Sequence, residues 1–197
     1  AHQLRTPLAV LKVQVQSALR GDAPPTEALQ EIQTTVDRAT QLANQMLSLA
    51  KVEQVKQQQD FAPMDWAEPL RTVALDLAPL IADKDLDFEI RTQPCRVLAH
   101  EWMLREMVRN LLHNAIRLTP AGRALRVSLG VQQGMAELVV ADSGPGISDE
   151  LRQRLFQPFA AGHAHSGSGL GLTITREMVR ALGGSIQLNN RLSLIHI

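Results

Sequence analysis

Between Leu29 and Ala50 the apolar residues recur in alternating steps of three and four: Leu29, Ile32, Val36, Ala39, Ala43, Met46, Ala50. That spacing keeps one stripe on one side of an α-helix, and a stripe so narrow is buried only by another helix laid along it. Upstream, Leu4, Leu8, Leu11, Val15 and Ala18 make the same steps, and the breaker GDAPPT, Gly21–Thr26, separates the two runs. Residues 1–58 are therefore predicted to form a helical hairpin with antiparallel arms, ended by the polar run Gln54–Gln59. Two helices bury little between them, so pairing with a second copy into a four-helix bundle is the expected remedy.

From about Phe61 the texture changes. A short strand is predicted near Ala62–Trp66 and a helix over Ala67–Asp83, then strands at LDFEIR (Leu86–Arg91) and CRVLA (Cys95–Ala99). A helix follows from Glu101 to Leu118. ALRVSLGV (Ala124–Val131) and MAELVVAD (Met135–Asp142) alternate like the two arms of a β-hairpin. Short helices near Ser148–Phe156 and Leu170–Leu182 flank a glycine-rich loop, and SIQL (Ser185–Leu188) reads as a last strand. Helices and antiparallel strands mixed in this way predict an α+β chain, a hairpin followed by an α/β sandwich.

Charge excludes some functions. Twenty basic and twenty acidic side chains cancel, so no basic surplus points to nucleic acid as the partner. Cys95 stands alone, which rules out an intrachain disulfide and suits a reducing compartment. No run approaches the roughly 20 apolar residues of a membrane span. The chain opens inside a periodic segment, so it is expected to continue upstream. The run LSLIHI, Leu192–Ile197, carries no turn signal and is expected to be an extraneous tail.

Three stretches carry chemistry. On the helix Glu101–Leu118, Glu106, Asn110, Asn114 and Arg117 fall within about 80° of one another, opposite Leu104, Met107, Leu111 and Ala115. Such a stripe is either a solvated face or a set of oxygen donors for a hard cation such as Mg²⁺, with Arg117 toward phosphate oxygens. In ADSGPGIS (Ala141–Ser148), Asp142 ends a strand, and Gly144 and Gly146 permit a tight turn and close approach to a ligand. A plain turn before a helix fits equally; so does a carboxylate accepting from an adenine amine. GSGLGL (Gly167–Leu172) opens a helix whose exposed N–H groups can hold an anion, although no Lys-Ser/Thr follows as a Walker loop requires.

In this order the stretches resemble the sensor histidine kinases of two-component systems. HQLRTPL (His2–Leu8) is similar to their H box and NLLHNAIRLTP (Asn110–Pro120) to their N box. DSGPGI (Asp142–Ile147), LFQPF (Leu155–Phe159) and GSGLGLTI (Gly167–Ile174) resemble the G1, F and G2 boxes, and GGSI (Gly183–Ile186) the turn before the closing strand. The resemblance implies a dimeric phosphotransfer hairpin over residues 1–58, a linker at 59–63 and a Bergerat-type ATP-binding sandwich over 64–191. It further implies that ATP phosphorylates His2 and that an aspartate on a response-regulator receiver domain then takes the phosphoryl group. Asn114 would hold Mg²⁺, Asn110 and Arg117 would contact ATP phosphates, and Asp142 would bind the adenine amine. Gly144, Gly146, Gly167, Gly169 and Gly171 would let the loops close on the nucleotide. Full-length relatives are usually bacterial inner-membrane receptors, so this chain is expected to be a cytoplasmic portion, tied to the membrane only through upstream segments.

His2 lies about 200° around its helix from Leu4 and is predicted to point away from the seam, leaving a neutral imidazole able to attack phosphorus. Pro7 suits a local distortion after the acceptor. Thr6, one turn on, matches the family's device for aiming water at a phosphoaspartate. The chain departs from the family pattern in places. Gln3 stands where an acid is common, and it can hydrogen-bond but not take a proton. Leu118 replaces a frequent aromatic ring. The loop before GSGLGL has His163 and His165 but no lysine or arginine; that spacing admits a metal or phosphate contacts. Two other readings stay open: a nucleotide-dependent dimer scaffold without catalysis, and a phosphatase-dominant sensor working through Thr6.

Overall fold

The computed structural model describes residues 2–148, 171–190 and 192–197. Helices α1 (His2–Arg20) and α2 (Pro25–Gln58) form the hairpin. Pro25 begins α2, where a missing N–H costs nothing, and Gln59 ends it in the left-handed conformation at φ 50°. Then come β1 (Ala62–Asp65), α3 (Ala67–Asp76), α4 (Ala78–Asp83), β2 (Asp87–Thr92), β3 (Arg96–Ala99) and α5 (Glu101–Leu118). The remainder is β4 (Ala124–Gln132), β5 (Met135–Asp142), α6 (Gly171–Ala181), β6 (Ser185–Asn189) and β7 (Leu192–His196).

The hairpin's inner face differs from the expected seam by one position in every second step. On α2 the residues buried before Val52 are Ala28, Thr35 and Leu42, while Leu29 and Val36 remain 65% and 42% exposed. Leu8 and Val15 on α1 are exposed as well. Polarity explains the difference. The Thr35 hydroxyl donates to Gln14 Oε1 at 2.8 Å, so a polar pair is satisfied inside the hairpin. Leu29 and Val36 stay on the flank.

The predicted helix over Ala67–Asp83 is two helices broken at Leu77. Pro79 lacks the N–H that would reach the Leu75 carbonyl, and its ring would clash there. Strands β1 and β3 pair antiparallel in a small sheet of their own, with Pro63 opposite Leu98. The main sheet has order β2-β4-β5-β7-β6; β2 runs parallel to β4, and every other neighbour is antiparallel. The run Leu192–His196 is strand β7, paired with β5 on one side and β6 on the other. Its Ile195 is fully buried, the physical reason it stays in the sheet. The helix expected near Ser148–Phe156 lies outside the described residues.

Helices α3, α5 and α6 cover one face of the main sheet. Leu125, Val127 and Leu129 of β4 and Leu138 and Val140 of β5 meet Leu70, Met103, Met107, Leu111, Ile174 and Met178 in one core. The lower part of α2 joins that core through Val52, 1% exposed, and Val55, 4% exposed. Beside them the Lys51 ammonium sits 4.4 Å from the centroid of the Trp102 ring.

Candidate functional site

Helix α5 forms one wall of the site. His100 caps it, with Nδ1 accepting from the Trp102 N–H at 3.1 Å, and Glu101 meets the positive end of the helix. Met103, Leu104, Met107, Val108, Leu111, Leu112, Ala115 and Ile116 are buried against the sheet. The opposite stripe is what was expected from the spacing: Glu106, Asn110 and Asn114 are half-buried, and Arg117 is exposed. Burial pushes the Glu106 carboxyl above its ordinary range, against the pull of Arg109 and Lys51.

Asn110 is the telling residue of that stripe. Its Nδ2 is buried and has no hydrogen-bond partner among the described residues. An unpaired buried amide costs free energy, and a ligand oxygen would satisfy it. Its other end meets the start of α6, where a Cβ built on Gly171 would lie 3.5 Å from Asn110 Oδ1. Asn110 and the end of the glycine-rich stretch are thus brought together. One turn further along α5, Asn114 Oδ1 accepts, among the described residues, only a long contact from Arg117 Nη2, at 3.5 Å. That oxygen remains available to a cation.

The second wall is the turn after β5. Asp142 Oδ1 accepts from the Gly144 N–H at 2.8 Å, fixing the carboxylate at the strand end, and a carboxylate has a second oxygen with which to accept. A Cβ on Gly144 would come within 2.7 Å of that Oδ1 and 3.1 Å of the Leu118 carbonyl. The turn therefore presses directly on the last residue of α5. Gly146 is left-handed at φ +80°, and the neighbouring Ile147 N–H donates to Asn190 Oδ1 at 3.0 Å.

These donors fit a magnesium nucleotide. A half-buried amide oxygen and a carboxylate on one stripe suit a hard cation that keeps its waters and takes its other ligands from phosphates. Among the described residues no cluster of three or more His, Cys, Asp or Glu offers an all-protein cage. His2 and Gln3 lie in the first turn of α1, and Thr6 is exposed on the same helix, in the hairpin rather than on these walls. Gly167, Gly169, His163, His165 and the stretch Leu155–Phe159 lie outside the described residues. Two contributors went unread in the sequence. Asn190 follows a strand with only a turn signal around it. Lys84 sits in ADKDL, where nothing local separates it from a solvated lysine, yet its ammonium is bound to the end of α5.

Residues 99–193 match the family described as histidine kinase-, DNA gyrase B- and HSP90-like ATPase, and residues 1–55 match the His Kinase A phospho-acceptor domain. Sensor protein kinase PmrB of Pseudomonas aeruginosa is 36% identical over 98% of this chain, which spans 41% of PmrB's length. The histidine kinase AdeS of Acinetobacter baumannii superposes with a TM-score of 0.75 at 26% identity, covering 100% of this chain and 95% of that one. A mycobacterial sensor histidine kinase, MprB, is 30% identical with a TM-score of 0.59, covering 69% of this chain and 94% of that one. Among the described residues no helix is long and apolar enough to cross a membrane.

Proposed function

This chain belongs to the sensor histidine kinases of two-component systems, and from that premise we propose that it transfers the terminal phosphoryl group of ATP to His2 and onward to an aspartate of a response-regulator receiver domain. The observation that carries this reading is the unpartnered Asn110 amide, buried between α5 and the first residue of α6. Asp142 would accept from the adenine amine, Asn110 and Arg117 would donate to phosphate oxygens, and Asn114 would hold Mg²⁺. When bound, that ion neutralises charge on the phosphates.

The chemistry asked of the protein is alignment and charge stabilisation rather than covalent help. A ring nitrogen of neutral His2 attacks the γ-phosphorus, the bond to the bridging oxygen breaks, and ADP leaves. Gln3 holds no proton-accepting group, so the imidazole proton goes to solvent. Residues 1–58 serve as the phosphotransfer hairpin and 64–191 as the nucleotide domain. A second copy covering Leu29 and Val36 completes a four-helix bundle. Thr6, exposed one turn past His2, suits the orientation of a water at a regulator's phosphoaspartate. The chain is read as the cytoplasmic portion of an inner-membrane sensor.

Calorimetry with Mg-ATP tests the site. Saturable binding that falls at least about tenfold in Asp142→Ala, a loss of about 1.4 kcal/mol, supports the reading. Unchanged affinity in that variant overturns the assignment of the adenine contact, and no binding by the unmodified chain overturns the function.

A further inference from the structure

Lys84 follows α4 and is half-buried, with its ammonium directed at the end of α5. Nζ donates to three backbone carbonyls: Ile116 at 2.8 Å, Arg117 at 2.9 Å and Thr119 at 2.8 Å. An ammonium has three donors, and here each has its own acceptor. A helix leaves its last carbonyls unpaired and bears partial negative charge at that end, so a cation on this spot is held by both effects. Its own carbonyl meanwhile accepts from the Gly122 N–H at 3.1 Å, tying the chain that leaves α5 to the same residue.

The carbonyl that Lys84 skips is Leu118, and it is the one against which Gly144 packs, at 3.1 Å from a Cβ position there. Thr119, fully buried, closes the end from inside, its N–H and hydroxyl both directed at the Ala115 carbonyl at 2.9 and 2.7 Å. The end of α5 is thus clamped on one side by an ammonium and on the other by the turn that carries Asp142. Arg117 gives one of the clamped carbonyls, and Asn114 lies one turn before it.

We propose that Lys84 is a positioning residue of the nucleotide site: its three bonds to the Ile116, Arg117 and Thr119 carbonyls hold the end of α5 so that Asn114 and Arg117 meet the metal and phosphates. This rests on the nucleotide reading given above. It assigns Lys84 no contact with ATP. The effect passes through the backbone of α5.

The test titrates the full chain and its Lys84→Met and Lys84→Arg variants with Mg-ATP and, separately, with adenosine in the absence of metal. Each is measured at a temperature where circular dichroism finds it folded. In Lys84→Met the Mg-ATP affinity is expected to fall about tenfold, as it does when an outer-shell partner is removed, and adenosine affinity to fall much less. A merely structural role would weaken both ligands alike, through the folded fraction. Lys84→Arg keeps the charge but spreads its donors in a plane, so it is expected to fold and to lose part of the Mg-ATP affinity. If Lys84→Met does not fold, the arginine variant decides. Mg-ATP affinity within about twofold of the unmodified chain in whichever variant folds, or equal losses for both ligands, overturns the proposal. Absence of Mg-ATP binding by the unmodified chain overturns the functional reading beneath it instead.

Discussion

Gly144 has no room for a methyl group. Its Cβ would sit 2.7 Å from Asp142 Oδ1, so Gly144→Ala displaces the carboxylate that the adenine would meet. Calorimetry should find Mg-ATP affinity reduced about tenfold while the main sheet stays folded. Gly146, two residues on, is left-handed, and an alanine there is strained by about 1–2 kcal/mol. Glu106 gives an expectation with a definite sign. Burial raises its carboxyl in the folded chain, so its proton favours folding. The contribution is full below the ordinary glutamate value of 4.5 and is lost as pH rises through the raised one. Glu106→Gln should therefore raise the melting temperature of the nucleotide-free chain at neutral pH, with the gain shrinking toward pH 4; an unchanged difference across that range would contradict the assignment. At this scale the stripe Glu106, Asn110, Asn114, Arg117 was legible because 100° per residue is enough to place it. Lys84 was not, because its partners are backbone carbonyls more than thirty positions away, and a carbonyl leaves no mark in the sequence.

Among the elements, the hairpin shows how far periodicity reaches. The three-four pattern correctly indicates two helices, but each helix of a bundle has more than one apolar flank, and the pattern alone does not rank them. Gln14 and Thr35 decide the inner register because they satisfy each other. That leaves Leu8, Val15, Leu29 and Val36 outside. Pro79 breaks the predicted helix at Leu77 by a local rule, the missing N–H and the ring clash one turn back. The pairing of β1 with β3 and the parallel pairing of β2 with β4 depend on tertiary packing that no short window encodes. The lower end of α2 is held by the nucleotide domain's own core. Val52→Ala removes two methyl-sized groups, about 1.6 kcal/mol at about 0.8 kcal/mol for each, before any cavity penalty. Hydrogen exchange should quicken first between Leu42 and Val55 in that variant. Exchange unchanged there would mean that the hairpin and the sheet do not share a core.

In the whole molecule, an exposed flank of α2 adjoins a core shared with the sheet. Leu29 at 65% and Val36 at 42% exposure lie seven positions apart on one side of α2, as a second copy would require. Leu29→Lys combined with Val36→Lys should shift the chain from dimer to monomer in analytical ultracentrifugation, with helix content retained by circular dichroism. A dimer that survives both substitutions places the interface elsewhere. In the proposed function, the residues of α5 and of the Asp142 turn serve one imidazole on α1. The most direct measurement incubates the full chain with Mg-ATP and maps the phosphoryl group by mass spectrometry under conditions that preserve phosphohistidine. The account predicts the group on His2, acid-labile and alkali-stable, and absent from His2→Ala. Nucleotide bound with no phosphoryl on any side chain, or phosphoryl on a residue other than His2, would contradict it.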